Sequence, residues 1–345
     1  MNLKRLTRII GSIGLLLMCG LIAHEGARTI AQLLTQAGFI LLWLVPLHAA
    51  PMLLDVMGWR TLLGVADRER RVNTAILFGI ATIREAVNRL LPVANIGGEL
   101  IGIRLLMLRG IAGAPAAASV IIETALTLIS QFAFIALGLL CLLHVGAAHH
   151  YANGVRWTLL LAMPLIFAFL LMLRYGSVFE RVGQFIERML SHDSQWRPLL
   201  SQSGDVDHEI RRLYGARGRL AGATLWQLSS WTLAALETWL ALRWLGSPVS
   251  LPNALALECV TQAVRNFVFV VPFGMGVQEA GLIGLGALLG VSGPIAVALS
   301  LTKRMREIIF GVPALLVWHW IEAHRARELA RPHLGVAERG GPHLK

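Results

Sequence analysis

The chain has 345 residues, of which 56% are hydrophobic and only 15% charged, and it carries a formal net charge of +11 at pH 7. So little polar surface cannot cover a soluble globule of this size, and apolar windows near the roughly 20 residues that cross a bilayer recur throughout, which excludes a single anchor with a soluble head. The basic excess forms no stripe interleaved with aromatics outside helix ends, which argues against a nucleic-acid partner.

In chain order the apolar windows are 9–23, 39–58, 73–91, 99–109, 115–145, 156–174, 220–245, 252–271, 278–291 and 294–320. The first follows Lys4, Arg5 and Arg8, and no small-x-small cleavage site precedes a hydrophilic region, so it reads as a span and not as a leader. Residues 26–37 set Ile30, Leu33 and Leu34 against a polar face, the pattern of a short helix lying on the outer membrane surface. Windows 99–109 and 278–291 are too short to cross a bilayer at about 1.5 Å per residue. Between 175 and 219, Phe179, Val182, Phe185, Ile186 and Met189 alternate with Glu180, Arg181, Glu187 and Arg188, which predicts an amphipathic cytoplasmic helix.

Pairing each short window with the one before it fixes an orientation. Segments 1–8, 59–72, 104–110, 174–219 and 321–345 hold 22 of the 31 Lys and Arg, whereas 24–38, 144–156, 243–253 and 291–294 hold 3. Positive charge stays on the cytoplasmic side, so both termini and the long 175–219 loop are expected there. The expected organisation is all-α: one polytopic membrane bundle over 1–320, then a basic, disordered cytoplasmic tail over 321–345. His149 and His150 fall in an outward loop without further ligands, and Cys19, Cys141 and Cys259 share no metal spacing. No HExxH, GxSxG or P-loop pattern occurs, so no catalytic residue, metal or cofactor is assigned.

Two broken segments carry the chemistry: REAVNRLLPVANIGGE (Arg84–Glu99) and QAVRNFVFVVPFGMGVQE (Gln262–Glu279). Each has Ala-Val followed by an Arg and an Asn, then Pro, glycines, and a Glu seven residues after the Pro. Pro92 and Pro272 end one helix, while Gly97, Gly98, Gly274 and Gly276 let the chain turn. Glu99 and Glu279 then stand where a carboxylate complements the next helix's N-terminus. The charge count places the two hairpins in opposite orientations, an inverted repeat, and in transporters the substrate site tends to lie where such helices meet.

Charged residues gather around them. Arg84, Glu85, Arg89, Glu99, Glu123, Glu237, Glu258, Arg265, Glu279, Lys303, Arg304, Arg306 and Glu307 lie in or beside apolar windows, where each unpaired charge costs roughly 2.5–3.5 kcal/mol, so they must pair or line a wet cavity. Arg84, Arg89 and Arg265 offer guanidinium forks that match phosphate or carboxylate oxygens. Asn88, Asn266, Glu99, Glu279 and Arg304 complete the candidate substrate-binding set, with a structural ion pair the competing reading for each Glu.

Val271–Gly311, together with LPVANIGGELIGIRLLMLRG (Leu91–Gly110), resembles the lysylphosphatidylglycerol synthase transmembrane-region family, the flippase-like domain, and most of all its hopanoid-biosynthesis-associated branch. Pro92, Gly98, Glu99, Arg104, Glu123, Pro272, Gly274, Gly276, Glu279 and Arg304 fall on the family pattern, as do Trp59 and Arg60. The family often follows the Glu at position 123 with a base and then an acid; this chain has Thr124 and Thr127 instead. The resemblance implies a lipid translocase or export factor in a bacterial inner membrane, its cargo a hopanoid or a phospholipid and its partners lipid-biosynthetic enzymes. With 25 residues after the last window, the aminoacyl-transferring domain of some members is not expected. An intramembrane lipid-modifying enzyme or glycosyltransferase, and a scaffold docking enzymes through the 175–219 loop, stay open as alternatives. The oligomeric state is not legible.

Overall fold

The computed structural model describes residues 3–64, 66, 67, 69, 71–91, 97–144, 203–267 and 276–330. Among them every regular element is helical: α1 (Leu3–Glu25), α2 (Ala27–Ala37), a 3-10 segment (Gly38–Trp43), α3 (Leu44–Leu63), α4 (Thr74–Leu90), α5 (Gly97–Leu108), α6 (Gly113–His144), α7 (Ser203–Gly215), α8 (Arg217–Trp244), α9 (Leu251–Phe267), α10 (Val277–Leu288) and α11 (Gly293–Ala330). Pro92, Pro272, Gly274, the 156–174 window, His149 and His150, the amphipathic stretch over 179–189 and the tail past 330 lie outside the described residues.

Local chemistry sets the breaks. Gly26, at φ 93, separates α1 from α2, a backbone conformation open to glycine at little cost. Asn73 caps α4 by accepting the Ile76 N–H at 2.8 Å. Leu91, which precedes Pro92 in sequence, is extended at φ −122, ψ 146, as a residue before proline must be. The stripe expected on α2 exists, and it is turned inward: Ile30 is buried, with Leu33 and Leu34 packed beside it.

Two cores form. The first joins α3 to α7 with Ala223 of α8 and Ala314 of α11; the second joins α2, the 3-10 segment, the start of α3, the end of α8, α9, α10 and the first half of α11. The long helices α3, α8 and α11 therefore tie the halves together. At Gly58 the backbone of α3 comes so near α8 that a Cβ would meet Ala223 O and Trp226 Cβ at 3.3 Å.

Two stretches differ from the sequence-based expectation. Residues 203–215, inside the expected cytoplasmic loop, form α7, whose Val206, Ile210 and Leu213 repeat at helical spacing and enter the first core. Helix α11 continues ten residues beyond the expected boundary at 320, because Glu322 accepts both Nε (2.7 Å) and NH2 (2.8 Å) of Arg104 on α5.

The distribution of polarity is inside out. Phe39 (88% exposed), Trp43, Leu225, Leu316 and Trp320 face outward, while Glu279, Glu258, Lys303 and Arg306 are buried. Two described stretches, 27–63 and 113–138, are long and apolar enough to cross a bilayer, and only 22% and 44% of their apolar windows are buried. A core helix of a soluble protein would be mostly covered; this outer surface suits hydrocarbon.

The α5–α6 and α10–α11 connections share one geometry. Gly110 and Gly290 both have positive φ (85 and 77), Ile111 N–H reaches Leu106 O as Val291 N–H reaches Gly286 O, and α6 and α11 start at Gly113 and Gly293. Each pair is separated by 180 residues, as are Glu99 and Glu279. The two halves thus carry the same helix–turn–helix unit in the same register.

Candidate functional site

Glu99 is the third residue of α5, and its partners come from the two neighbouring helices. Arg84 NH2 on α4 donates to Glu99 Oε2 and, at 2.7 Å, to Glu123 Oε2 on α6. Asn88, one turn on from Arg84, donates to Glu99 Oε1 at 3.3 Å and accepts the Gly98 N–H at 2.8 Å. That last contact satisfies one of the amides a helix start leaves unpaired. Thr124 donates to Glu99 at 3.3 Å, Thr127 to Glu123, and Gln227 of α8 lies 3.5 Å from Glu123.

The guanidinium of Arg84 also lies over the Trp59 ring, 4.4 Å from its centre. A cation held on an indole face away from water is stabilised by roughly 2 kcal/mol. Arg84 Nε has no hydrogen-bond partner among the described residues, since that side of the group faces Gly102. Gly98 and Gly102 are required here: a Cβ at 98 would stand 2.3 Å from Arg84 O, and one at 102 would stand 2.5 Å from Arg84 Cδ. Asp55 on α3 lies within electrostatic reach of Arg84, Glu99 and Glu123, which brings three acids around one guanidinium.

The second glutamate is held differently. Glu279 Oε2 accepts the Gly276 N–H at 2.7 Å, reaching back to the residue ahead of α10 as in one half of a capping box. Its Oε1 accepts from Ser300 at 2.8 Å and from Nε and NH2 of Arg304 at 2.9 and 2.8 Å. Glu279 is completely buried, whereas the Glu99 side chain keeps 22% of its surface.

Two further ionic groups lie beyond these centres, and the second of them joins the halves. Lys303 of α11 pairs with Glu258 of α9, which also accepts from Thr238 and Gln262. Arg306 pairs with Glu237 of α8, and Glu237 in turn faces His48 Nδ1 at 3.3 Å. His48 Nε2 lies 3.5 Å from Glu85, whose other oxygen is 3.8 Å from Arg89.

Residues 7–314 match the family described as lysylphosphatidylglycerol synthase TM region. The chain belongs to that family. No curated protein matches it, and no solved structure does. As a lysylphosphatidylglycerol synthase TM-region protein, the chain is a membrane protein of lipid-related function.

Of the candidate residues in this family member, Arg84, Asn88 and Glu99 converge on one centre, Glu279 and Arg304 form another, and Arg89 joins His48 through Glu85. Arg265 and Asn266 belong to α9, and their side chains lie outside the described residues. Thr124 and Thr127 turn their hydroxyls onto Glu99 and Glu123. His48 and Asp55 carry no candidate role in the sequence reading, although both stand in the apolar 39–58 window. Pro92, Pro272 and Gly274 are outside the described residues, whereas Gly97 and Gly98 open α5 and Gly276 precedes α10.

Proposed function

We propose that this protein moves an amphiphilic lipid across a bilayer, with the head group passing the Arg84–Glu99–Glu123 centre. The observation that carries the reading is a centre of one cation and several acids, built into helices whose outer faces are apolar, with one edge of Glu99 open. Such a group costs too much in hydrocarbon to be retained as filler, and a partly uncovered carboxylate can exchange partners at little cost. On this reading the bundle is polytopic, both termini and the end of the 175–219 connection are cytoplasmic, and the two Pro/Gly-broken hairpins form an inverted repeat around the path.

Arg84 already holds two carboxylates, so a phosphate would have to displace one of them. A neutral hydroxylated or weakly basic head group can instead donate hydrogen bonds to the open edge of Glu99. This favours a polyol-bearing polycyclic lipid, a hopanoid, over an anionic phospholipid, and it agrees with the hopanoid-associated branch that the sequence resembles.

The test is reconstitution into liposomes with reporter lipids of both head-group classes. Expected is movement well above that of protein-free vesicles, faster for the polyol head than for the anionic one, and reduced by Arg84→Ala. Movement no faster than in protein-free vesicles for every lipid rejects the reading; a preference for the anionic head rejects the cargo.

A further inference from the structure

His48 stands at a junction of four helices and belongs to none of the centres so far given a role. It is a residue of α3, and its ring meets α4 at Glu85, α8 at Glu237 and α11 at Phe310, whose ring packs edge-on with centroids 5.6 Å apart. Among the described residues, the charged groups facing this junction are Glu85 and Arg89 from α4, Glu237 from α8, and Arg306 and Glu307 from α11, with Lys303 of α11 within electrostatic reach of Glu237. On α3 itself, Asp55 points toward the Arg84 centre two turns away. Glu85, Arg89, Glu307 and Phe310 also line a cleft between α4 and α11 that opens beside the ring.

We propose that His48 is a proton-binding site, and that loading and unloading this proton makes and breaks the tie it forms between α4 and α8. A neutral imidazole has one N–H and one lone pair, whichever tautomer it adopts. Here each ring nitrogen faces a carboxylate oxygen, Nδ1 toward Glu237 and Nε2 toward Glu85. A neutral ring would turn a lone pair onto one of them, and only the imidazolium donates to both. These contacts, at 3.3 and 3.5 Å, are ones that the imidazolium can satisfy together, and through them one ring ties α4 to α8.

Release of the proton strands no charge. Glu237 keeps Arg306 and Glu85 keeps Arg89, so each carboxylate retains a cation after the imidazolium is lost. A buried ion pair stripped of its sole partner would cost several kcal/mol and hold the site in one state. Doubly partnered carboxylates let a proton come and go. The consequence reaches the lipid centre through covalent adjacency: Glu85 follows Arg84 on α4, and His48 shares α3 with Trp59, on which Arg84 rests.

The coupling to lipid movement rests on the translocase reading; the proton site does not. The purified protein in nanodiscs, with Cys19, Cys141 and Cys259 replaced, is spin-labelled at Gly79→Cys on α4 and at the exposed Thr232→Cys on α8. Separations are read from about pH 5 to pH 8, the range an imidazole titrates. With His48 in place, two distance populations are expected to exchange across that range. His48→Gln should stay at the alkaline separation and His48→Lys, a fixed cation, at the acidic one. No change with pH when His48 is present, or a change that persists in either folded variant, overturns the site. In proteoliposomes carrying an entrapped pH dye, lipid movement should be accompanied by proton flux that His48→Gln abolishes; undiminished proton flux in that variant overturns the coupling. A pH-dependent separation without lipid movement in any protein supports the proton site while rejecting the translocase reading.

Discussion

Glu99 and Glu279 occupy the same register of two equivalent helix–turn–helix units, 180 residues apart, and each is the third residue of its helix. Their surroundings diverge. Glu279 takes its cation from the following helix, at Arg304, adds Gly276 and Ser300 as donors, and is wholly buried. Glu99 has Thr124 at the position equivalent to Arg304, takes its cation from the preceding helix, shares that cation with Glu123, and keeps an open edge. The same exchange affects the adjacent position, where Glu123 stands in place of Lys303. One glutamate is closed off on every side, and its counterpart keeps part of its side chain uncovered, the difference on which the proposed lipid role rests. The difference follows from which neighbouring helix supplies the guanidinium.

This contrast is easiest to break at the closed site. Glu279→Ala leaves the Arg304 fork without its carboxylate and should lower stability by about 3–5 kcal/mol, read as a large fall in thermal midpoint or in folded yield. Gly98→Ala comes next: its methyl would meet Arg84 O and Asn88, forcing α5 off α4, with a loss of about 1–3 kcal/mol and of transport. Gly79→Ala, on the same helix as Arg84 but with open space around it, is the matched control and should change neither property. Glu99→Gln should cost only about 1 kcal/mol, because Arg84 still holds Glu123, yet it should abolish lipid movement. Thr124→Val removes one 3.3 Å hydrogen bond and should cost roughly 0.5–1 kcal/mol in stability, with transport reduced but present.

Much of this arrangement was legible in the sequence, and for definite reasons. Charges inside apolar windows pointed to Arg84, Glu99, Glu279 and Arg304, which the structure does pair, because hydrocarbon penalises unpaired polar groups wherever they occur. Pairing was not legible: His48 and Glu237 are 189 residues apart, and no local periodicity links them. His48 in particular is one of two ionisable residues in an apolar window, and nothing nearby in sequence marks the partners, Glu85 and Glu237, that the fold brings to it. Arg84 looked like an open fork for an anionic head group, yet Glu99 and Glu123 occupy it, and only the packing of α4, α5 and α6 reveals this. The end of α11 was misjudged because composition turns polar at 321, whereas Glu322 is held by Arg104 across the bundle.

The central claim, that the open carboxylate and not its closed counterpart serves the lipid, comes down to one comparison of rates. Folded wild type and folded Glu99→Gln, reconstituted at equal density in liposomes with a polyol-headed reporter lipid, should differ by at least about tenfold, a loss of roughly 1.4 kcal/mol or more in the barrier, with the variant near the protein-free rate. Equal rates for the two proteins, or a wild-type rate no greater than that of empty vesicles, would contradict it.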